Sequence, residues 1–292
     1  KAVVLSPAER QLYDQVEDYI STTYQAASPD KKTSVGFVMT IYRRRLASSF
    51  YSLRKTLESR LARIKGFDQS PADAERLEED LPQDEQATDV VSSEEADELE
   101  QKSLGAEEEG SIQSLLKGIA MLGTDTKARE VRDQLKRAIA DGYDSAIIFS
   151  QYTDTMDFLR DYLGEQLDVP VGCFSGRGGE IRDSAGRWVR RSKEQIKRML
   201  KEKSVQVLVC TDAAGEGLNL QSCGVVINYD LPWNPMKVEQ RIGRIDRIGQ
   251  QFPEIRVVNL AYADTVEADV YFALSKRIGL FNGVVGKLQP IL

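Results

Sequence analysis

Two segments of the 292-residue chain carry side chains suited to holding or acting on a ligand. In the first, an apolar run at 205–210 leads into Thr211-Asp212-Ala213-Ala214-Gly215-Glu216-Gly217-Leu218-Asn219-Leu220-Gln221. Small residues and two glycines let backbone approach a ligand closely, and polar groups gather where a strand ends. An ordinary tight loop has the same composition. In the second, the segment 239–250 places Arg241, Arg244 and Arg247 three residues apart, on one slowly rotating side of a helix. Guanidinium groups projected from a rigid helix suit charge developing on a transferred phosphoryl group. A surface ion-pair network with Glu239 and Asp246 explains the spacing equally well. Gly243 and Gly249 each lower helix stability by about 1 kcal/mol relative to Ala, which points to close packing or a nearby ligand.

The elements that position these segments read as α/β. Apolar runs at 146–149, 169–174, 205–210, 225–229 and 255–260 have strand character, and Pro170 suggests an edge for the second. Helical patterns at 126–140, 154–167, 192–203 and 234–248 separate them, with a last helix near 264–280. Strand and helix alternating at these spacings predict a mainly parallel sheet with helices on both faces. Ligand groups in such sheets collect at the carboxyl ends of the strands, where both segments fall. Asn234 is a natural N-cap and Pro235 fits the first helical position. The first 65 or so residues read instead as helices. Ser6-Pro7-Ala8-Glu9 is a capping pattern, followed by an apolar stripe of Leu12, Tyr13, Val16, Tyr19 and Ile20.

Charge divides the chain further. The formal total is −7, yet 68–109 holds 17 acidic residues against two basic ones. The rest of the chain is therefore basic, at +8. An acidic stretch so poor in apolar residues cannot offset its own ordering entropy, so a flexible insertion is expected. Between Ile41 and Lys65 there are eight basic residues and one acidic, on a pattern with Leu46, Leu53, Leu57, Leu61 and Ile64 at helical spacing. From Ser175 to Lys203 there are ten basic and four acidic residues, with Trp188 among them. Two such concentrations suggest a phosphate-backbone surface, although solvated helix faces look alike. The absence of histidine excludes Ser-His-Asp and Cys-His catalysis and every His-based metal site. Cys173, Cys210 and Cys223 lack paired spacing and read as reduced thiols of a cytoplasmic protein. No apolar run reaches membrane-span length, and Lys1–Pro7 turns polar too quickly for a signal peptide.

Residues 145–250 resemble the second RecA-like lobe of superfamily-two helicases, nearest the Swi/Snf-type ATPases. Ile147-Ile148-Phe149-Ser150-Gln151-Tyr152 resembles motif IV, the segment 207–221 motif V, and 239–250 motif VI with the typical ending Arg247-Ile248-Gly249-Gln250. Asn228-Tyr229-Asp230-Leu231-Pro232-Trp233-Asn234-Pro235 is similar to the bacterial and archaeal branch, which includes the RNA-polymerase-associated ATPase and phage-defence helicases. Three regions are expected: a helical linker at 1–67, an acidic insertion at 68–110, and a RecA-like lobe at 111–292. The resemblance implies that Arg244 and Arg247 are arginine fingers toward ATP. It implies that Gly215, Glu216, Gly217, Asn219 and Gln240 line the nucleotide cleft, Gln240 standing where many relatives have His. Ser150, Gln151, Thr211, Gly176 and Arg177 would hold the backbone of double-stranded DNA.

The sequence departs from a complete motor. It has no Gly-x-x-x-x-Gly-Lys-Ser/Thr loop, and no apolar strand in it ends in an Asp-Glu pair. ATP and magnesium would then be bound mainly by an N-terminal RecA-like lobe of the same protein, and this chain alone would not hydrolyse ATP. The expected activity is sequence-independent duplex translocation. The resemblance adds RNA polymerase or defence-system subunits as further partners and implies no membrane contact. A non-catalytic docking lobe and an RNA-directed helicase lobe are the rival readings.

Overall fold

The computed structural model describes residues 1–29, 32–66, 106–212, 218, 220–232, 235–246, 249–266, 268–269, 273 and 276. The chain forms two compact units. One comprises Lys1–Val4, Lys127–Gln151 and Leu159–Leu292, the other Leu5–Thr126 and Tyr152–Phe158.

The second unit is helical: α1 (Pro7–Ala26), α2 (Lys32–Ser48), α3 (Phe50–Ile64) and α4 (Ala106–Met121). The expected capping box is present at α1, where Ser6 Oγ accepts from the Glu9 amide and Glu9 accepts from the Ser6 amide. Glu9 also accepts from the Thr126 amide at 2.7 Å, so one buried carboxylate fixes two helix entries. The basic stretch 41–65 is two helices, broken where the Ser49 side chain caps α3 by accepting from the Ser52 amide. Many of its cations are engaged within the unit. Arg45 donates to Asp154 and Ser52, Arg43 to Glu17, Arg54 to Glu58, and Arg60 to Glu108.

α4 begins inside the stretch expected as acidic insertion, and the unit runs on to Thr126 rather than ending at 67. Glu108 is buried against Arg60 and Tyr19, which compensates a carboxylate that composition alone places in solvent. Residues 67–105 of that insertion lie outside the described residues.

Among the described residues, the first unit is built on a seven-stranded sheet. Its strands are β2 (Ala146–Ser150), β3 (Val171–Ser175), β4 (Gly178–Arg182), β5 (Trp188–Arg191), β6 (Val207–Thr211), β7 (Val225–Asn228) and β8 (Arg256–Asn259). The pairs β3–β6, β6–β2, β2–β7 and β7–β8 are parallel, whereas β3–β4 and β4–β5 are antiparallel. A two-residue strand β1 (Ala2–Val3) pairs in parallel with β9 (Ala261–Tyr262).

Strands β2, β3, β6 and β7 are buried throughout, as continuous apolar runs between helix layers should be. On one face, Ile147, Phe149, Leu208, Cys210 and Val226 pack with Ile196 and Leu200 of α7 (Lys193–Lys201). On the other, Ala146, Val207 and Val225 meet Leu135 and Ala138 of α5 (Thr126–Ala140). Lys127 of α5 is fully buried with its ammonium over the rings of Tyr229 and Tyr262, 5.0 and 4.8 Å from their centroids.

β3 is not an edge: Pro170 precedes it, and the β4–β5 hairpin covers its outer side. That hairpin, within 178–191, is not evident from the sequence, because Gly and charge dominate a segment whose strand character comes from Ile181, Trp188 and Val189 alone. Among the described residues, no helix is long and apolar enough to cross a membrane. The expected last helix at 264–280 falls largely outside them.

Candidate functional site

The carboxyl ends of β2, β6, β7 and β8 meet in a buried polar network. Its centre is Arg241, on α8 (Pro235–Gly243), a residue 1% exposed. The guanidinium donates through Nε and Nη2 to the two oxygens of Asp212, at 2.6 and 2.7 Å. Nη1 donates to Asn228 Oδ1 at 2.9 Å and to the Asp230 carbonyl at 3.0 Å. Phe149 supports the group from one side, its ring centroid 5.2 Å away. Burial opposes the charge on Arg241, but Asp212 and then Asp230 outweigh it and hold the pKa above the ordinary arginine value.

The network reaches outward from there. Asp230 accepts from Ser150 Oγ at 2.8 Å and from the Gln151 amide at 2.7 Å, which ties the end of β2 to the segment after β7. Asn228 donates to Asn259 Oδ1 on β8 at 2.7 Å. Four strand ends and one helix are thus held by contacts among Ser150, Asp212, Asn228, Asp230, Arg241 and Asn259.

This placement corrects the expectation that Arg241 projects beside Arg244. The guanidinium is turned into the fold, and its partner is Asp212, not Glu239 or Asp246. Arg244 is half-buried just beyond α8, where the helix tightens: its amide donates to both the Gln240 and Arg241 carbonyls. Gln240 is exposed. A methyl group on Gly243 would meet nothing within 4 Å, so packing does not explain that glycine. Gly249 adopts φ +98, a left-handed conformation that favours glycine. Gln250 is structural, donating to the Cys223 and Ile245 carbonyls and accepting from the Phe252 amide.

Among the other expected site residues, Ser150 and Thr211 are buried as the final residues of paired strands, and Gln151 is half-buried. Gly176 is exposed in the β3–β4 turn. Arg177 is half-buried there, its backbone amide donating to Ser175 Oγ at 3.1 Å. Gly215, Glu216, Gly217, Asn219 and Arg247 lie outside the described residues. Sequence reasoning missed Asp212, Asn228, Asp230 and Arg241 as one cluster. The available signal was a polar residue closing each of three apolar strands.

Among the described residues, the two carboxylates of this network, Asp212 and Asp230, are already occupied. Both oxygens of Asp212 bind Arg241, and both oxygens of Asp230 accept protein donors. These residues therefore do not fit a magnesium ion.

A mainly parallel sheet between helix layers, with its polar cluster at the carboxyl edge, defines a RecA-like lobe. Residues 127–249 match the family described as helicase conserved C-terminal domain. The uncharacterized ATP-dependent helicase YqhH of Bacillus subtilis (strain 168) is 38% identical over 192 residues, covering 66% of this chain and 31% of that protein. The RNA polymerase-associated protein RapA of Pectobacterium atrosepticum is 45% identical over 67 residues, 23% of this chain and 7% of that one. The crystal structure of the C-terminal part of the Fun30 ATPase domain aligns with a TM-score of 0.52 at 16% identity, covering 93% of this chain and 86% of that one. That likeness is one of fold. The chain thus carries a helicase conserved C-terminal domain at 127–249 and is similar there to ATP-dependent helicases and to RNA polymerase-associated RapA. It spans less than a third of the length of these curated relatives.

Proposed function

We propose that this chain is the C-terminal motor lobe of an ATP-dependent translocase acting on double-stranded DNA. The observation that carries the reading is the Arg241 network. It joins α8, which leads to Arg244, to the strand ends bearing Ser150, Gln151 and Thr211. A change at the nucleotide side is thereby transmitted to the DNA side through packed, charge-assisted contacts.

In this reading Arg244 and Arg247 stabilise charge on the transferred phosphoryl group, each on the scale of an arginine finger. Gly215, Glu216, Gly217, Asn219 and Gln240 form this lobe's side of the ATP cleft. Ser150, Gln151, Thr211, Gly176 and Arg177 form the backbone-holding edge. The sequence lacks a phosphate loop and the carboxylates here are engaged, so ATP and magnesium are held mainly by an N-terminal lobe of the full-length protein. The chain alone is then inactive as an ATPase. RNA polymerase is a further partner by the similarity to RapA, and the compartment is the cytoplasm.

The test is ATP turnover with and without duplex DNA. Arg244→Ala in the full-length protein lowers turnover by about 1,000-fold or more, with a smaller effect on ATP affinity. Turnover by the isolated chain, or normal turnover in the Arg244→Ala variant, overturns the corresponding assignment.

A further inference from the structure

The β4–β5 hairpin lies outside the three motif segments and has no role in the reading above. Its topology gives it a place. β4 runs back from the carboxyl end of β3, and β5 runs forward again, so Arg190 and Arg191 finish at the same sheet edge as Ser175, Gly176 and Arg177. Two strand spacings put β5 about 10 Å outboard of β3. The residues expected to hold the DNA backbone lie along this same edge, on β2, β6 and the β3–β4 turn.

The hairpin is cationic and firmly seated. Residues 176–193 hold six basic and two acidic side chains. Both acids are engaged: Glu180 by Arg160, and Asp183 by the Arg187 guanidinium and the Ala185 and Arg187 amides. Trp188 anchors the hairpin to α6 (Thr153–Gln166), with the guanidinium carbons of Arg160 and Arg182 4.5 and 6.0 Å from its ring. A methyl group on Gly164 would sit 3.6 Å from that ring, an ordinary packing distance, so the indole lies close against the helix.

Arg190 stands opposite Glu180 in the register, but that carboxylate already belongs to Arg160. Arg190 is exposed and has no side-chain partner among the described residues, while Arg191 is half-buried, donates to the Arg190 carbonyl and acts on Asp183 only through its field. Two guanidiniums on a rigid strand, neither of them hydrogen-bonded to a carboxylate among the described residues, present a fixed positive charge.

We infer that Arg190 and Arg191 form an outer phosphate contact that extends the lobe's grip along one strand of duplex DNA beyond Arg177. The inference rests on the proposed DNA-translocase reading and adds a surface to it. A positively charged edge strand that merely guards the sheet against pairing is the competing explanation.

The experiment titrates a random-sequence DNA duplex, and the matching RNA duplex, into the full-length protein across a salt series. It compares wild type, Arg190→Ala/Arg191→Ala and Arg187→Ala, the last at the far end of the hairpin. The double variant is expected to bind DNA more weakly, with a slope of log affinity on log salt shallower by about 2. Arg187→Ala is expected to follow wild type. An unchanged slope in a folded double variant, alone or with new self-association, overturns the inference and leaves the DNA reading standing. A change confined to RNA also overturns it. Wild-type protein that binds duplex DNA without salt dependence overturns the underlying reading instead.

Discussion

Arg241 and Asp212 are joined by two parallel hydrogen bonds, Nε to Oδ1 at 2.6 Å and Nη2 to Oδ2 at 2.7 Å. Their side chains are 2% and 27% exposed. The pair binds the residue that follows β6 to the helix that precedes Arg244. A bidentate pair fixes orientation as well as distance, which a lysine at the same position could not do.

Removing Arg241 leaves a carboxylate, an asparagine oxygen and a carbonyl without their donor. Arg241→Ala is expected to destabilise the lobe by about 3–5 kcal/mol, and Arg241→Lys by less, because it keeps charge and loses the fork. Chemical denaturation of the three proteins checks the order. Equal stability of wild type and Arg241→Ala would remove the network from any structural role.

The thiols at 210 and 223 are fully buried, and burial raises both, Cys223 to about 12 from an ordinary 9.0. The folded state therefore binds these protons more tightly than the unfolded state. That contribution is fully present below pH 9.0 and is lost as pH rises toward 12. Stability should fall by about 1.4 kcal/mol per pH unit for each thiol in that window. Denaturation curves on either side of pH 9.0 test this, with Cys210→Ala/Cys223→Ala expected to flatten the dependence. At neutral pH both thiols should resist alkylation until the lobe unfolds.

In the helical unit, Arg60 and Glu108 form a pair whose side chains are 3% and 4% exposed, and Tyr19 adds a hydrogen bond of 2.9 Å. Arg60→Ala should cost about 3–5 kcal/mol by stranding Glu108. Arg60→Met/Glu108→Leu should recover most of that loss, since two apolar groups need no mutual compensation. Thermal unfolding of the single and double variants decides it; a double variant as unstable as the single would refute the account.

A methyl group at Gly179 would lie 2.5 Å from Ile196 Cγ1, and Ile196 is completely buried. Gly179→Ala is expected to destabilise the hairpin by about 1–3 kcal/mol through overpacking. Ile196→Val, which removes Cδ1, the more distant of the two clashing carbons at 2.7 Å, should relieve part of it. Amide exchange across 178–191 reads the local effect.

How far the sequence could be read depends on the range of the forces involved. Strand burial in β2, β6 and β7, the Ser6–Glu9 box at α1 and the Pro235 start of α8 are all visible in it. Each follows from local propensity or from apolar runs long enough to specify a buried strand. The antiparallel hairpin was not legible, because its stability comes from Trp188 packing against Arg160 and Gly164, both more than 20 residues away.

The sequence determined that a helix starts at Pro235 and carries Arg241, but α8 ends at Gly243, so Arg244 falls just beyond it, and Arg247 lies outside the described residues. Which guanidinium turns inward was decided only in three dimensions. Asp212 and Asn228 lie 29 and 13 residues from Arg241 along the chain, yet they converge at one sheet edge. Only that convergence compensates the desolvation of a buried guanidinium. Glu108 shows the same division: composition assigns it to solvent, and a partner 48 residues away makes its burial tenable. Local sequence selects helices and strands through backbone preference and apolar pattern. The pairing of buried charges depends on distances that exist only after those elements have packed.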